Sequence, residues 1–148
     1  MTRDEPPSVW RRWRKPLSSR LVGFSASCFV ATLATDVAYW RTANMMWSDF
    51  SAWLVTAGVV VGWVAIVVAL IETVAVRTLH RRPTLLWVIG NLVALILATL
   101  NTLVHTRDAW TSVVPWGATL SAAVVLVLLV TAWIERPTYG AARAEVTT

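Results

Sequence analysis

Apolar and small residues cover positions 21–35 and continue past Asp36 to Trp40, and three further runs, 50–71, 83–106 and 109–134, contain no Asp, Glu, Lys or Arg. A helix needs about 20 apolar residues to cross about 30 Å of hydrocarbon at about 1.5 Å per residue. All four runs reach that length if the first tolerates Asp36. The pattern therefore predicts four transmembrane helices, at about 21–40, 53–76, 85–104 and 115–134. It predicts an all-α fold, an integral membrane four-helix bundle running up-down-up-down. Prolines stand where helices begin or have ended: Pro16 before the first, Pro83 and Pro115 at the third and fourth, Pro137 after the last. Residues 1–20 read as a basic cytoplasmic arm, and 135–148, without an apolar period, as a flexible cytoplasmic tail.

Composition agrees with a membrane chain. Of 148 residues, 57% are hydrophobic and 14% charged, against about 25% charged in ordinary soluble domains. The formal charge of +5 and the high pI raise nucleic acid as a partner, but that reading needs a soluble basic face, and here the basic residues bracket apolar runs. No nucleic-acid role is expected. Lys and Arg are retained on the cytoplasmic side of a membrane. Arg3, Arg11, Arg12, Arg14, Lys15 and Arg20 precede the first span, Arg77, Arg81 and Arg82 lie between the second and third, and Arg136 and Arg143 follow the last. Arg41 and Arg107 alone fall in the other two loops. Eleven against two predicts both termini in the cytoplasm, in a multi-pass protein of the bacterial inner membrane.

The tryptophans test that placement independently, because indole prefers the headgroup level. Trp40, Trp47, Trp53, Trp110 and Trp116 fall at predicted outer ends, Trp87 and Trp133 at inner ends, and Trp63 alone in mid-membrane. Trp10 and Trp13 stand among Arg11, Arg12, Arg14 and Lys15, a mixture that suits anionic lipid, although a plain positive-inside anchor accounts for the same arm. A cleaved signal peptide is the rival for 1–35, but Thr32-Leu33-Ala34 is a poor cleavage site and the apolar run continues beyond it. The single Cys28 excludes an internal disulfide and any multi-cysteine metal site, and is read as a packing residue.

Ionisable groups inside a span normally face protein or water and have a partner. Projected at about 100° per residue, Ser25, Cys28, Thr32 and Asp36 share one arc of the first helix, and Thr84, Asn91, Asn101, Thr102 and His105 share one arc of the third. Asp36 and Asn101 lie about 22 and 24 Å from the inner ends of their helices, at one level. The first and third helices are therefore expected to face each other, with an intramembrane cluster of Asp36, Asn101, His105 and Arg107. In it Asp36 would accept from Asn101 and pair with His105 or Arg107. Two readings stay open: a structural clasp, and a proton or ligand site. Glu72, Arg77 and Asn91 form a second, inner-side cluster, in which Glu72 is expected to snorkel and pair near Arg77. Gly58 and Gly62 give the second helix a small-xxx-small face, against which a helix of this chain, of a second copy or of another protein could pack closely.

His80 and His105 lie at opposite ends of the third helix, about 37 Å apart by helical rise, too far to ligate one haem. His105 with Met45 or Met46 remains a conceivable His/Met pair. There is no glycine-rich phosphate loop, Cys pair, His-Glu metal spacing or serine elbow. The echo of Leu33-Ala34-Thr35 in Leu97-Ala98-Thr99 hints at a duplicated helix pair.

Asp36 near the outer end of the first helix, Ser51-Ala52-Trp53-Leu54 with Gly58 and Gly62 in the second, the acidic Glu72 at its inner end and Asn91 in the third resemble a family of predicted bacterial membrane proteins, domain of unknown function 2231. The resemblance spans roughly residues 21–134 and implies a respiratory or redox setting. The chain lacks a His-Pro pair at the start of the first helix and a histidine shortly before Asn91, where Leu86 and Trp87 stand. A haem-ligand role therefore does not carry over. The expectation is a non-catalytic interaction or accessory subunit with no cofactor, its partners the lipid bilayer and another protein or a second copy through the Gly58/Gly62 face. A haem-binding electron carrier and a small proton-coupled transporter or channel are the alternatives.

Overall fold

A computed structural model describes residues 16–75, 84–106 and 113–134. The arm, the segment holding Arg77, the segment holding Arg107 and the tail lie outside the described residues. Four helices follow in order: α1 (Leu17–Thr42), α2 (Met45–Ala75), α3 (Leu85–His105) and α4 (Ala118–Ile134), the last entered through a wide helical turn, Val113–Gly117. With that turn included, all four are long and apolar enough to cross a membrane, and no strand occurs among the described residues.

The helix ends follow from local chemistry. Pro16, with φ −56° and ψ 150°, stands immediately before α1. Ala43 ends the helix in the left-handed region at φ 51°, its N–H donating to the Tyr39 carbonyl at 2.8 Å. Asn44 starts α2 at once, its Oδ1 accepting from Met46 N at 3.0 Å and its carbonyl from Trp47 N at 3.0 Å. With that cap in place α2 begins at Met45, eight positions before the expected 53, and carries Ser48 and Asp49 on extra turns. Its 31 residues rise about 46 Å, more than the hydrocarbon thickness, so its polar first turns reach past the apolar layer or the helix tilts. Thr84 caps α3 by accepting from Trp87 N at 3.2 Å. In the fourth span, extended Val114 (φ −124°, ψ 125°) interrupts the helix before Pro115, so regular α4 starts at Ala118 and not at 115.

α1 packs on α2 and α4, and α3 packs on the same two helices, so α1 and α3 are diagonally opposed. Leu17 and Ser18 meet Glu72 and Gly90 meets Thr131 at one end, and Asp36 meets Ser51, His105 and Ser121 at the other. Consecutive helices therefore run in opposite directions. We call these the N-terminal and distal ends of the bundle. The dry core between them is built by Phe29, Val59, Ala94, Leu95, Ala98 and Val124, from all four helices.

Small residues set the approach distances. A Cβ on Gly58 would lie 2.7 Å from a Phe29 ring carbon, and one on Gly62 would lie 2.6 Å from Leu95 Cδ1 and 3.0 Å from Ser25 Oγ. α1 and α3 of this chain therefore occupy the face expected to serve a partner or a second copy. That expectation is corrected: the glycines are spent on internal packing, where Ser25 Oγ also donates to the Gly58 carbonyl at 2.7 Å. Large apolar side chains such as Trp53, Val74 and Leu85 cover the outside, as lipid requires.

Candidate functional site

The distal end gathers polar side chains from every helix. Asp36 of α1 is wholly buried. Its Oδ1 accepts from Ser51 Oγ of α2 and lies 3.2 Å from His105 Nε2 of α3. Its Oδ2 accepts from Ser121 Oγ of α4 at 2.5 Å. Ser121 in turn accepts from Asn101 Nδ2 at 2.8 Å. His105 Nε2 is also 3.0 Å from Ser51 Oγ, and Nδ1 is 3.0 Å from the Asn101 carbonyl one turn earlier.

These contacts fix one proton of the ring. A backbone carbonyl only accepts, so His105 Nδ1 carries hydrogen. Each serine has one hydroxyl proton, and both are directed at Asp36. Nε2 lies between Asp36 Oδ1 and Ser51 Oγ, and the His105 and Asp36 side chains are closed off from solvent, with exposures of 2% and 0%. The three residue types of a hydrolase relay are present, but Asp36 and Ser51 share one ring nitrogen, whereas the relay needs aspartate and serine on opposite nitrogens.

Of the expected cluster, Asp36, Asn101 and His105 stand together, with one change. Asn101 reaches Asp36 through Ser121 and not directly, because Asp36 and Asn101 stand on diagonal helices whose gap the α4 hydroxyl fills. Arg107 lies outside the described residues. Asn101 Oδ1 is buried and has no hydrogen-bond partner. Much of the rest of the two polar stripes is satisfied locally: Thr32 donates to the Cys28 carbonyl and Thr102 to the Ala98 carbonyl of their own helices.

Sequence reasoning missed the roles of Ser51 and Ser121. The signal available was depth: Ser51 lies near the start of the second apolar run, and Ser121 in the first half of the fourth, both at the level of Asp36. Trp63, mid-membrane in sequence, donates from Nε1 to Thr99 Oγ1 at 3.3 Å, which gives its N–H a partner away from the interface.

The inner-side cluster differs from expectation. Glu72 does not reach outward by snorkelling: its Oε1 accepts from Leu17 N at 2.9 Å and its Oε2 from Ser18 Oγ at 2.6 Å. A carboxylate from α2 therefore caps the first turn of α1, where orphan N–H groups and the helix dipole favour negative charge. Asn91 Nδ2 donates to the Trp87 carbonyl of its own helix at 2.8 Å. Arg77 lies outside the described residues. Among those residues no group of three or more His, Cys, Asp or Glu side chains is placed to hold a metal ion.

A family model described as "Predicted membrane protein (DUF2231)" matches residues 14–135. The chain belongs to this family. The match covers all four helices and both polar clusters, so the bundle is the family's domain and not an addition to it. No curated protein and no solved structure matches the chain.

Proposed function

We propose that this DUF2231 protein is a non-catalytic accessory or interaction subunit of the bacterial cytoplasmic membrane, with both termini on the cytoplasmic side. The observation that carries the reading is the mutual engagement of the distal network: the side chains of Asp36, Ser51, His105 and Ser121 bond to one another across four helices, and all four are buried. A proton or ion pathway would have to continue toward the N-terminal end, past Thr32, whose hydroxyl is bonded to the Cys28 carbonyl, into the apolar core of Phe29, Val59, Leu95, Ala98 and Val124. A haem ligand needs a ring nitrogen free for iron, and both nitrogens of His105 are engaged. Met45 Sδ, the other half of the conceivable axial pair, accepts from Tyr39 Oη at 3.9 Å. The network thus serves as a clasp, and the work of the protein falls to its lipid-facing surface and its termini. The implied respiratory or redox setting directs the partner search to such assemblies.

The test uses the full chain. In mild detergent it is expected to migrate above its monomer mass in native electrophoresis of membranes. After purification with haem supplied it is expected to show no Soret band, and in proteoliposomes no proton flux above empty vesicles. A Soret band lost in His105→Ala, or a flux lost in Asp36→Asn, overturns the proposal.

A further inference from the structure

α4 approaches α3 closely at the N-terminal end, where a Cβ on Gly90 would lie 2.1 Å from Thr131 Oγ1, and it lends only Leu128 to the space left between α1, α2 and α3. That space is a partly open cleft of about 490 Å³, within the size range of small-molecule sites. Its wall on α2 runs from Gly62 to Thr73, a rise of about 16 Å, close to the depth of one leaflet of hydrocarbon at about 15 Å. The room comes from small side chains: Ala26 on α1, Gly62, Ala65 and Ala69 on α2, and Ala94 on α3. The cleft ends against the dry core at Phe29 and Leu95.

One charge stands in this apolar lining. Glu72 is the only ionisable side chain in it, at the N-terminal end with Ser18, Thr73, Trp87 and Asn91. Glu72 is half-buried, and its two contacts, Leu17 N and Ser18 Oγ, are neutral donors, one on each oxygen. Among the described residues the only ion pair is His105 with Asp36, so no described Lys, Arg or His cancels the Glu72 charge, and Arg20 of α1 is exposed and absent from the lining. A carboxylate offers about four lone-pair directions. Glu72 uses one per oxygen on the α1 cap, so it can face a further partner without releasing that helix. The neutral polar groups are spent inside the protein: Thr73 Oγ1 donates to the Ala69 carbonyl at 2.7 Å, Asn91 Nδ2 to the Trp87 carbonyl at 2.8 Å and Ser25 Oγ to the Gly58 carbonyl. An uncharged head therefore finds few partners here, an anionic head is repelled by Glu72, and a cationic head is attracted. Trp87 adds an indole, the side chain that binds cations best through its ring.

We propose that the cleft binds a lipophilic organic cation: a single-chain amphiphile whose hydrocarbon lies along Ala69, Ala65 and Gly62 and whose ammonium head sits beside Glu72 with Trp87 as its aromatic neighbour. The chain accounts for the length and apolarity of the cleft, and the head for the one charge in it. A zwitterionic phospholipid does not meet the same terms, because its phosphate finds no cation in the lining. The site stands or falls independently of the accessory role, because it concerns a bound small molecule and no partner protein.

Equilibrium dialysis of the full chain in phosphatidylcholine nanodiscs tests it. The probe is dodecyltrimethylammonium, with dodecanol and dodecyl sulfate as its neutral and anionic counterparts and empty nanodiscs as the measure of partition into lipid. The wild type is expected to bind dodecyltrimethylammonium saturably, one per chain above the empty discs, and neither counterpart. Glu72→Gln keeps an acceptor for Leu17 N and a donor for Ser18 Oγ. It is expected to weaken binding at least about tenfold, the loss of one charged partner. Trp87→Leu is expected to weaken binding about fivefold, the effect of one partly desolvated cation–π contact. Dodecanol bound as tightly as the cation, saturable binding of dodecyl sulfate, no saturable binding of the cation, or unchanged affinity in folded Glu72→Gln overturns the proposal. The wild-type comparisons decide it even if a variant fails to fold.

Discussion

A carboxyl group out of reach of water is tolerated only where other groups replace its hydration, and Asp36 has three replacements on two oxygens. Two are serine hydroxyls and the third is the ring of His105, so the stabilising partners come from three different helices. Removing the carboxylate strands all of them at once. Asp36→Leu is expected to cost about 3 kcal/mol, the usual consequence of leaving one half of a buried pair unpaired. Asp36→Leu combined with His105→Leu is expected to recover at least half of that loss, because two apolar side chains leave neither half of the pair behind unpaired. Reversible unfolding in detergent measures both, and a double variant less stable than Asp36→Leu alone would show that the imidazole is needed for something other than the pair. Trp63→Phe, which removes one hydrogen bond to Thr99, is expected to cost about 0.6 kcal/mol by the same measurement. At this scale the ionisable members of the site were legible, since charge inside an apolar run announces itself. Ser51 and Ser121 were not, because a serine in a membrane helix usually bonds to its own backbone, as Ser27 does with the Gly23 carbonyl.

Helix number and order followed from the length of the apolar runs, but the helix ends and neighbours depended on details that hydropathy does not see. The early start of α2 rests on Asn44, which caps a helix whose first turns are too polar to register as a span. The diagonal placement of α1 and α3 could not be read from two matching polar stripes, because stripes that meet across an axis and stripes on adjacent helices look alike in projection. Close packing is more decisive at the α3/α4 contact, where Gly90 faces Thr131. In isolation Gly90→Ala favours helix by about 1 kcal/mol. Here a Cβ would also lie 3.0 Å from Thr131 Cβ, an atom fixed to the backbone. The substitution is therefore expected to destabilise the bundle by about 1–3 kcal/mol through overpacking, and Gly90→Ala with Thr131→Ala to recover part of the loss, since alanine removes Oγ1 and Cγ2 and keeps Cβ. Thermal unfolding of the three proteins checks this, and a Gly90→Ala variant as stable as wild type would mean that α4 shifts freely along α3.

On the scale of the whole molecule the two ends have different tasks. The distal end is closed by hydrogen bonds across all four helices, and the N-terminal end is held mainly by Glu72 on the first turn of α1 and by Gly90 against Thr131. The basic residues are divided in the same sense, with eleven at the N-terminal end by sequence and two at the distal loops. Since retained cations decide orientation, the N-terminal end is expected in the cytoplasm and the Ala43-Asn44 link outside. In a Cys28→Ala background, Asn44→Cys is expected to react with a membrane-impermeant thiol reagent in intact cells, and Thr148→Cys only after permeabilisation. Replacing Arg11, Arg12, Arg14 and Lys15 by glutamine leaves seven basic residues against two, so that variant is expected to keep the same labelling pattern. Reversed labelling in the Cys28→Ala background would place the basic end outside and remove the cytoplasmic termini from the proposed function. Reversal only in the glutamine variant would instead locate the orientation signal in the arm, making it the dominant topogenic element and not one contribution among three.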